Sequence, residues 1–187
     1  MSDDADKDCP APEGRADKKR LFFALWPDLQ IRSELAKVAT TELRGNGKRV
    51  PSSNLHLTLA FLGELDANQQ GLAEQAADSV RVPAFRLGLD RLGFFDHSKV
   101  AWSGPSESDT KLEALVNGLH SALDEYGLAT ELRLFRPHVT LARNVTATGA
   151  DTAHTLVSWL VREFCLVHSV ADSRGAQYHP VKFWPLA

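Results

Sequence analysis

The stretch that decides the fold of this chain runs from Asn54 to Gly63 and reads Asn-Leu-His-Leu-Thr-Leu-Ala-Phe-Leu-Gly. Side chains alternate across a β-strand with a period of two, so this stretch predicts a strand whose two faces differ. The polar face is predicted to hold His56, Thr58 and Ala60. The opposite face, a buried wall, is predicted to hold Leu55, Leu57, Leu59 and Phe61.

The same pattern returns in the second half of the chain, where Pro137 to Ala142 reads Pro-His-Val-Thr-Leu-Ala. His138, Thr140 and Ala142 again alternate with two apolar residues. Among seven His, two followed by Thr at the second position and Leu at the third would arise by chance in roughly one chain in a thousand. We therefore interpret the two stretches as halves of one site.

Each half supplies an imidazole and a hydroxyl. Imidazole, with an ordinary pKa of about 6.5, takes or gives a proton near neutral pH, and a Thr hydroxyl donates to an anion. Two such pairs make an acid, a base and an anion clamp, which suits displacement at phosphorus. The arrangement requires neither a metal ion nor a cofactor, and two His with two Thr are a poor set of metal ligands.

The motifs and their flanks carry a family resemblance. They comprise Leu-Phe-Phe-Ala-Leu-Trp-Pro at residues 21–27, the two stretches above, Arg143 after the second, and an ending from Tyr178 to Phe-Trp-Pro-Leu at residues 183–186. Together they resemble the two-histidine phosphoesterase superfamily, and within it the bacterial and archaeal RNA 2′,3′-cyclic phosphodiesterases, historically called 2′-5′ RNA ligases. The likeness covers about Arg20 to Leu186.

The resemblance implies an enzyme that opens a 2′,3′-cyclic phosphate at an RNA end and leaves a 2′-phosphate. It implies that His56 donates a proton to the departing 3′ oxygen, that His138 is the base that activates water, and that Thr58 and Thr140 hold the phosphate. The same groups could also join RNA ends through a 2′-5′ bond. Two alternatives stay open: a phosphodiesterase acting on small cyclic nucleotides, and a module that binds RNA ends without turnover.

Three arginines are candidates for substrate binding. Ideal alternation puts Arg143 on the face opposite His138, whereas the resemblance implies an Arg here that contacts the phosphate; both interpretations stay open. Arg136 shares the face of His138 by parity and could extend a basic rim or be a solvated charge. Arg49, with Lys48, lies in a predicted flexible loop at residues 45–49 and could meet an RNA phosphate.

Aromatic residues in the predicted strands could stack an RNA base or fill the core. The candidates are Phe94, Trp102, Tyr178 and Trp184. His97 is expected in a turn and His120 in a structural position, while His154, His168 and His179 lack the Thr partner and stay outside the site.

Composition limits the possible partners and compartment. A chain of 187 residues with 43% hydrophobic residues suits one well-cored domain. A net charge of −3 gives no general attraction for nucleic acid, so a local basic cleft must bind RNA ends, with tRNA fragments as one candidate source. Two Cys make no disulfide framework, which indicates the cytoplasm, and no run of about 18 apolar residues is present to span a membrane. We also expect a monomer.

The order of predicted elements is β-α-β-α-β-β-α-β, a connector at residues 146–153, then β-β. Residues 1–19 are predicted to be a disordered tail because they have almost nothing apolar to bury, and residues 20–187 a single domain. The order predicts an α+β fold of two lobes related by a rough two-fold axis. Antiparallel sheets would line a central groove, with the helices outside.

Overall fold

A computed structural model describes residues 18–128, 135–146, 149, 151–173 and 175–187, with the backbone alone at Asp172. The predicted tail lies almost wholly outside the described residues. The helices are α1 (Leu29–Leu43), α2 (Ala67–Ser79) and α3 (Thr110–Glu125). The strands are β1 (Lys19–Leu25), β2 (Lys48–Arg49), β3 (Leu57–Leu65), β4 (Phe85–Phe95), β5 (Val100–Gly104), β6 (Val139–Arg143), β7 (Thr152–Val161), β8 (Glu163–Asp172) and β9 (Gly175–Pro185).

The strands form one antiparallel sheet in the order β7-β4-β5-β6-β3-β1-β8-β9, and β2 pairs with β6. Its two halves, β7-β4-β5-β6 and β3-β1-β8-β9, meet where Leu57 of β3 pairs with Val139 of β6. Each half therefore contributes the strand that carries its His-x-Thr motif to the centre of the sheet. This arrangement confirms the predicted α+β class, with the sheets of the two lobes continuous rather than separate.

Strand β1 explains how one half of the sheet supports the motif strand. Leu21, Phe23 and Leu25 are buried in the main core with the helices, while Phe22 and Ala24 are buried on the opposite face. The sequence of a strand that is covered on both faces is a continuous apolar run, and residues 21–25 form such a run. On that opposite face, Phe22 and Ala24 pack with two residues of β8, Cys165 and Val167.

The three helices share a single core cluster with one face of the sheet. Each starts at an aspartate whose side chain accepts backbone N–H bonds: Asp28 for α1, Asp66 in a capping box for α2, and Asp109 for α3. Helix α1 packs against β6 and β7, and α2 and α3 pack on each other and on β3. The helices thus leave the other face of the central strands open, and the motifs lie on that face.

Two predictions about the strands were wrong. Strand β7 was not predicted, although Val157, Trp159 and Val161 alternate inward along it. Residues 48–49, predicted as part of a flexible loop, form β2 against β6. Within the described residues, no helix is long and apolar enough to cross a bilayer.

Candidate active site

The two motif histidines stand at the starts of the two central strands. His56 directly precedes β3 and His138 directly precedes β6. Leu57 pairs with Val139 in antiparallel register, so continuing this register by one step places each histidine opposite the threonine of the other motif. The fold therefore brings together two residues that lie far apart in the sequence, as the repeated motif predicted.

Both imidazoles are held in the same way. Nδ1 of His56 lies 2.7 Å from the carbonyl oxygen of Asn54, and Nδ1 of His138 lies 2.7 Å from that of Arg136. A carbonyl only accepts, so each Nδ1 carries the proton and donates it. In the neutral rings, Nε2 is then the unprotonated nitrogen, which is the atom that can take a proton from water or, once protonated, give one to a leaving oxygen.

Burial lowers the pKa of both histidines. The pKa of His56 falls from 6.5 to about 4, chiefly because the site removes the cation from water, with smaller contributions from His138 and Arg143. The pKa of His138 is lowered too, again by burial first and by Arg143 second. In both cases the hydrogen bond to the backbone carbonyl opposes the shift. Both imidazoles are therefore neutral at neutral pH.

Aromatic rings pack around His56 on several sides. Trp26 stacks on the imidazole with a centroid distance of 5.7 Å and an interplanar angle of 17°. Phe22 lies at 5.0 Å and the ring of Tyr178 meets the imidazole edge-on at 5.0 Å. These contacts account for the loss of hydration behind the lowered pKa of His56.

His138 has its own aromatic wall, made by Phe95 at 5.0 Å and Trp102 at 6.4 Å. The indole of Trp102 lies against two glycines, because a Cβ on Gly93 would overlap its six-membered ring and one on Gly104 would come within 2.9 Å of it. Gly93 and Gly104 thus leave the space in which Trp102 packs beside His138. This is a structural reason for glycine in the middle of β4.

A bulge in each motif strand changes which side chains face the groove. On β3 the pairing with β1 skips Leu59, and on β6 the pairing with β5 skips Leu141. The carbonyl of Leu59 accepts from His120 Nε2 at 3.2 Å, and that of Leu141 accepts from the N–H of Val50 at 2.9 Å. Both bulged carbonyls are therefore satisfied outside the regular ladder.

The bulges correct four placements made from ideal alternation. Ala60 and Ala142, predicted on the polar face, are 3% and 0% exposed and belong to the main core. Phe61, predicted in the buried wall, is 52% exposed and lies beside Phe22. Arg143, which alternation placed away from the site, lines the same pocket as His56 and Thr140. Phe61 and Arg143 occupy equivalent places, five residues after their histidines.

A pocket opens beside His56 and Thr140 and extends between two elements, while His138 and Thr58 are not among the residues that line it. One side is basic, with Lys48 and Arg49 of β2 joining Arg143. The other side is formed by the start of β9, residues 175–178. Arg49 also donates from Nη1 to Thr40 at 3.0 Å, which ties this side chain to α1.

Some predicted residues contribute less directly. Arg136 is exposed and is not among the residues that line the pocket, although its carbonyl accepts the His138 proton. Trp184 is 6% exposed and stacks on Phe164, and Phe94 packs against the main core, so both are structural. His154 contacts Ser103 at 2.9 Å, away from the pocket. Across the described ranges, no group of three or more His, Cys, Asp or Glu could hold a metal ion.

Comparison with known proteins identifies the family of the chain. The model of the 2′-5′ RNA ligase superfamily matches residues 27–173. A protein of Escherichia coli K12 named RNA 2′,3′-cyclic phosphodiesterase is 34% identical over 173 residues, covering 91% of this chain and 98% of the relative. One of the same name from Archaeoglobus fulgidus is 28% identical over 176 residues, covering 87% and 98%.

Solved structures match most of the chain. The crystal structure of E. coli LigT complexed with 3′-AMP superposes with a TM-score of 0.82 at 34% identity, covering 91% of this chain and 99% of that chain. The complex of the same protein with phosphate gives a TM-score of 0.77 at 32% identity, covering 90% and 98%. The chain therefore belongs to the 2′-5′ RNA ligase superfamily.

Proposed function

We propose that this chain is an enzyme that hydrolyses the 2′,3′-cyclic phosphate at RNA ends and leaves a 2′-phosphomonoester. The observation that carries the proposal is the pair of identically held imidazoles, each with Nδ1 fixed on a carbonyl 2.7 Å away, at the junction of the two lobes. The relatives named RNA 2′,3′-cyclic phosphodiesterase support the substrate class.

The chemical step uses both Nε2 atoms. His138 removes a proton from water as the water oxygen bonds to phosphorus, and the bond from phosphorus to the 3′ oxygen breaks. His56 gives its proton to that departing oxygen, so the product carries a 3′ hydroxyl and a 2′-phosphate. The same displacement with a 5′ hydroxyl of a second RNA end in place of water would form a 2′-5′ bond and release the same 3′ hydroxyl, which agrees with the name of the family.

The acid must gain its proton as substrate binds, because burial lowers the pKa of His56 to about 4. A phosphodiester anion placed beside the ring favours the imidazolium. The Asn54 carbonyl also stabilises the charged form, since it accepts from Nδ1 in both protonation states. His138, whose pKa is lowered, is neutral at pH 7 and suited to act as the base.

Phosphate oxygens need donors that are in place before the reaction. Thr58 and Thr140 are partly buried and provide hydroxyls, each opposite the histidine of the other motif in the register, while Arg143 provides a guanidinium in the pocket. Preorganised donors of this kind stabilise the charge that builds on the oxygens in the transition state. We assign these three side chains to the phosphate.

An RNA end fits the pocket better than a small cyclic nucleotide does. The basic side of the pocket continues from Arg143 to Arg49 and Lys48, where further phosphates of a chain could bind. Arg136 is exposed at the rim near His138. Phe61 presents an exposed ring to which a base could stack. Fragments of tRNA are one candidate source of such ends.

We further propose a monomer acting in the cytoplasm. Both His-x-Thr motifs lie in one chain, so a single copy carries both halves of the site. In the part of the chain that the structure describes, the cysteine Cys165 is a buried free thiol, consistent with a reducing compartment.

Leaving-group dependence tests the roles of the two histidines. His56→Ala and His138→Ala are compared on an oligonucleotide with a 2′,3′-cyclic phosphate and on an activated aryl phosphodiester that the groove accepts. A weakly basic phenolate needs little protonation, so His56→Ala should recover activity on the aryl substrate while His138→Ala stays inactive on both. His97→Ala, in an exposed turn, is the control.

Other outcomes change the assignment. Rescue of His138→Ala alone would exchange the two roles. Binding of the cyclic-ended oligonucleotide without turnover by the wild-type chain would favour an RNA-end-binding module. Equal turnover of a cyclic mononucleotide and the oligonucleotide would favour a small-nucleotide phosphodiesterase.

A further inference from the structure

Asn54 is a buried polar residue that makes two kinds of contact. It is 6% exposed and ends the short 3₁₀ turn Ser52–Asn54, where its N–H donates to the Pro51 carbonyl at 2.8 Å. Its own carbonyl accepts the Nδ1 proton of His56 at 2.7 Å. Its side-chain Nδ2 donates to the carbonyl of Ala176, in β9, at 2.8 Å.

The second contact reaches an element distant in sequence. Ala176 lies near the start of β9, next to Gln177 and Tyr178, and all three line the pocket. Tyr178 meets the His56 ring edge-on at 5.0 Å. The hairpin of β8 and β9 therefore contacts His56 twice, through the Tyr178 ring directly and through Asn54 indirectly.

The other motif has no equivalent connection in what the structure describes. Arg136 occupies the place of Asn54, two residues before its histidine, and its carbonyl makes the same 2.7 Å contact. Its side chain is exposed, whereas that of Asn54 is buried. The two lobes thus hold their histidines alike through the backbone but differ in what fixes that backbone.

We propose that Asn54 is a positioning residue that holds His56 in its catalytic tautomer and orientation by fastening the turn before β3 to the start of β9. A buried amide whose donor and backbone acceptor are both engaged has one arrangement, so the carbonyl that receives the His56 proton stays fixed. The hairpin also keeps Tyr178 against the ring. This inference rests on the proposed function of His56, while the geometry of the connection is independent of it.

Two substitutions separate positioning from general stability. Asn54→Ala removes the side-chain donor, and Asn54→Asp keeps the shape but places a carboxylate oxygen against the Ala176 carbonyl. Asp66→Ala is the matched control, because it removes the capping contact of α2 to Gln69 and lowers stability away from the pocket. His138, Arg143 and Tyr178 face His56 and are unchanged in all three variants.

The readouts are kinetics on a cyclic-ended oligonucleotide and ¹⁵N NMR of the His56 ring. For both Asn54 variants, we expect kcat to fall by about 10-fold or more with a much smaller change in KM, as for other partners that orient a reacting group. The NMR spectrum should show a gain of the Nε2-protonated tautomer of His56 and no such change at His138. Asp66→Ala should leave both the tautomer of His56 and kcat as in the wild type.

Results that overturn the proposal are distinct from failure of the proposed function. Folded Asn54 variants with a wild-type His56 tautomer would refute it, as would equal losses of kcat in Asp66→Ala. If the wild-type chain does not turn over the oligonucleotide, the proposed function fails while the NMR comparison still tests the connection. If neither Asn54 variant folds, hydrogen exchange in the wild type decides. The side-chain amide protons of Asn54 and the Nδ1 proton of His56 should begin to exchange at the same temperature on warming. Independent exchange of these protons would refute the coupling.

Discussion

Acid should destabilise this protein through His56, and replacing His56 should remove that part of the acid sensitivity. The unfolded chain binds a proton at this residue below its ordinary pKa of 6.5, whereas the folded chain does so only below about 4. Between these values the unfolded state holds more protons, so the free energy of unfolding decreases as the pH falls. The contribution of neutral His56 to the free energy of unfolding is complete above pH 6.5 and is lost as the pH falls from 6.5 to about 4.

The size of the effect follows from the shift. One pKa unit corresponds to about 1.4 kcal/mol, so the full loss is about 3 kcal/mol, of which about 2 kcal/mol has gone by pH 5. His138 adds to the effect with the same sign, because its pKa is lowered as well. A domain of this size is expected to have a total stability of roughly 5–15 kcal/mol, so the loss is measurable.

The assay is urea unfolding at pH 7 and pH 5 of the wild type, His56→Gln and a control, His97→Gln, whose residue lies in an exposed turn. The wild type and the control should lose about 2 kcal/mol more than His56→Gln over this interval. Equal losses in all three proteins would refute the argument that burial holds His56 neutral. A larger loss of stability in His56→Gln than in the wild type would mean that acid stabilises the protein through His56, the opposite of the expected effect.

The site geometry makes three more predictions. Thr58→Val and Thr140→Val should each lower kcat by about 10²-fold with the fold intact by circular dichroism, since each removes a hydroxyl donor; wild-type rates in both would show that the threonines only form strand. Arg143→Gln should raise the pKa of His56 and His138 measured by NMR and weaken substrate binding, whereas unchanged titrations would exclude its electrostatic role. Gly93→Ala should displace Trp102, visible in its fluorescence, and lower turnover; an unchanged spectrum and rate would show that the close fit is unimportant.

The repeated motif was sufficient to predict the centre of the fold. Two strands that each have one apolar and one polar face must bury the apolar faces and can place the polar faces in a shared groove. His56 and His138 do lie together at the junction of the lobes. The helix starts also carry local signals, because Asp28, Asp66 and Asp109 accept backbone N–H bonds where α1, α2 and α3 begin.

Alternation failed where the strands are irregular. The bulges at Leu59 and Leu141 are held by partners from elsewhere, His120 and the Val50 amide, so nothing within either motif reveals them. They decide that Phe61 and Arg143 face the groove. The role of Asn54 was equally hidden, since its partner Ala176 is brought to it by the sheet.

Strand β7 was missed for a different reason. It starts in a polar segment, Thr152 to Thr155, and its inward residues Val157, Trp159 and Val161 appear only in the second half. It is also at the end of the sheet, where one partner, β4, suffices. An edge strand with a polar start resembles a connector when the sequence is considered alone.

The central claim is that two histidines hydrolyse a cyclic phosphate by breaking its bond to the 3′ oxygen. The most direct measurement incubates the wild-type chain with an oligonucleotide ending in 2′,3′-cyclic phosphate, in H₂¹⁸O with an excess of chelator, and determines the position and mass of the product phosphate. We predict a 2′-phosphomonoester that carries one ¹⁸O, at a rate that the chelator does not change. A 3′-phosphate product, or turnover that stops with the chelator and returns with a divalent ion, would contradict the account.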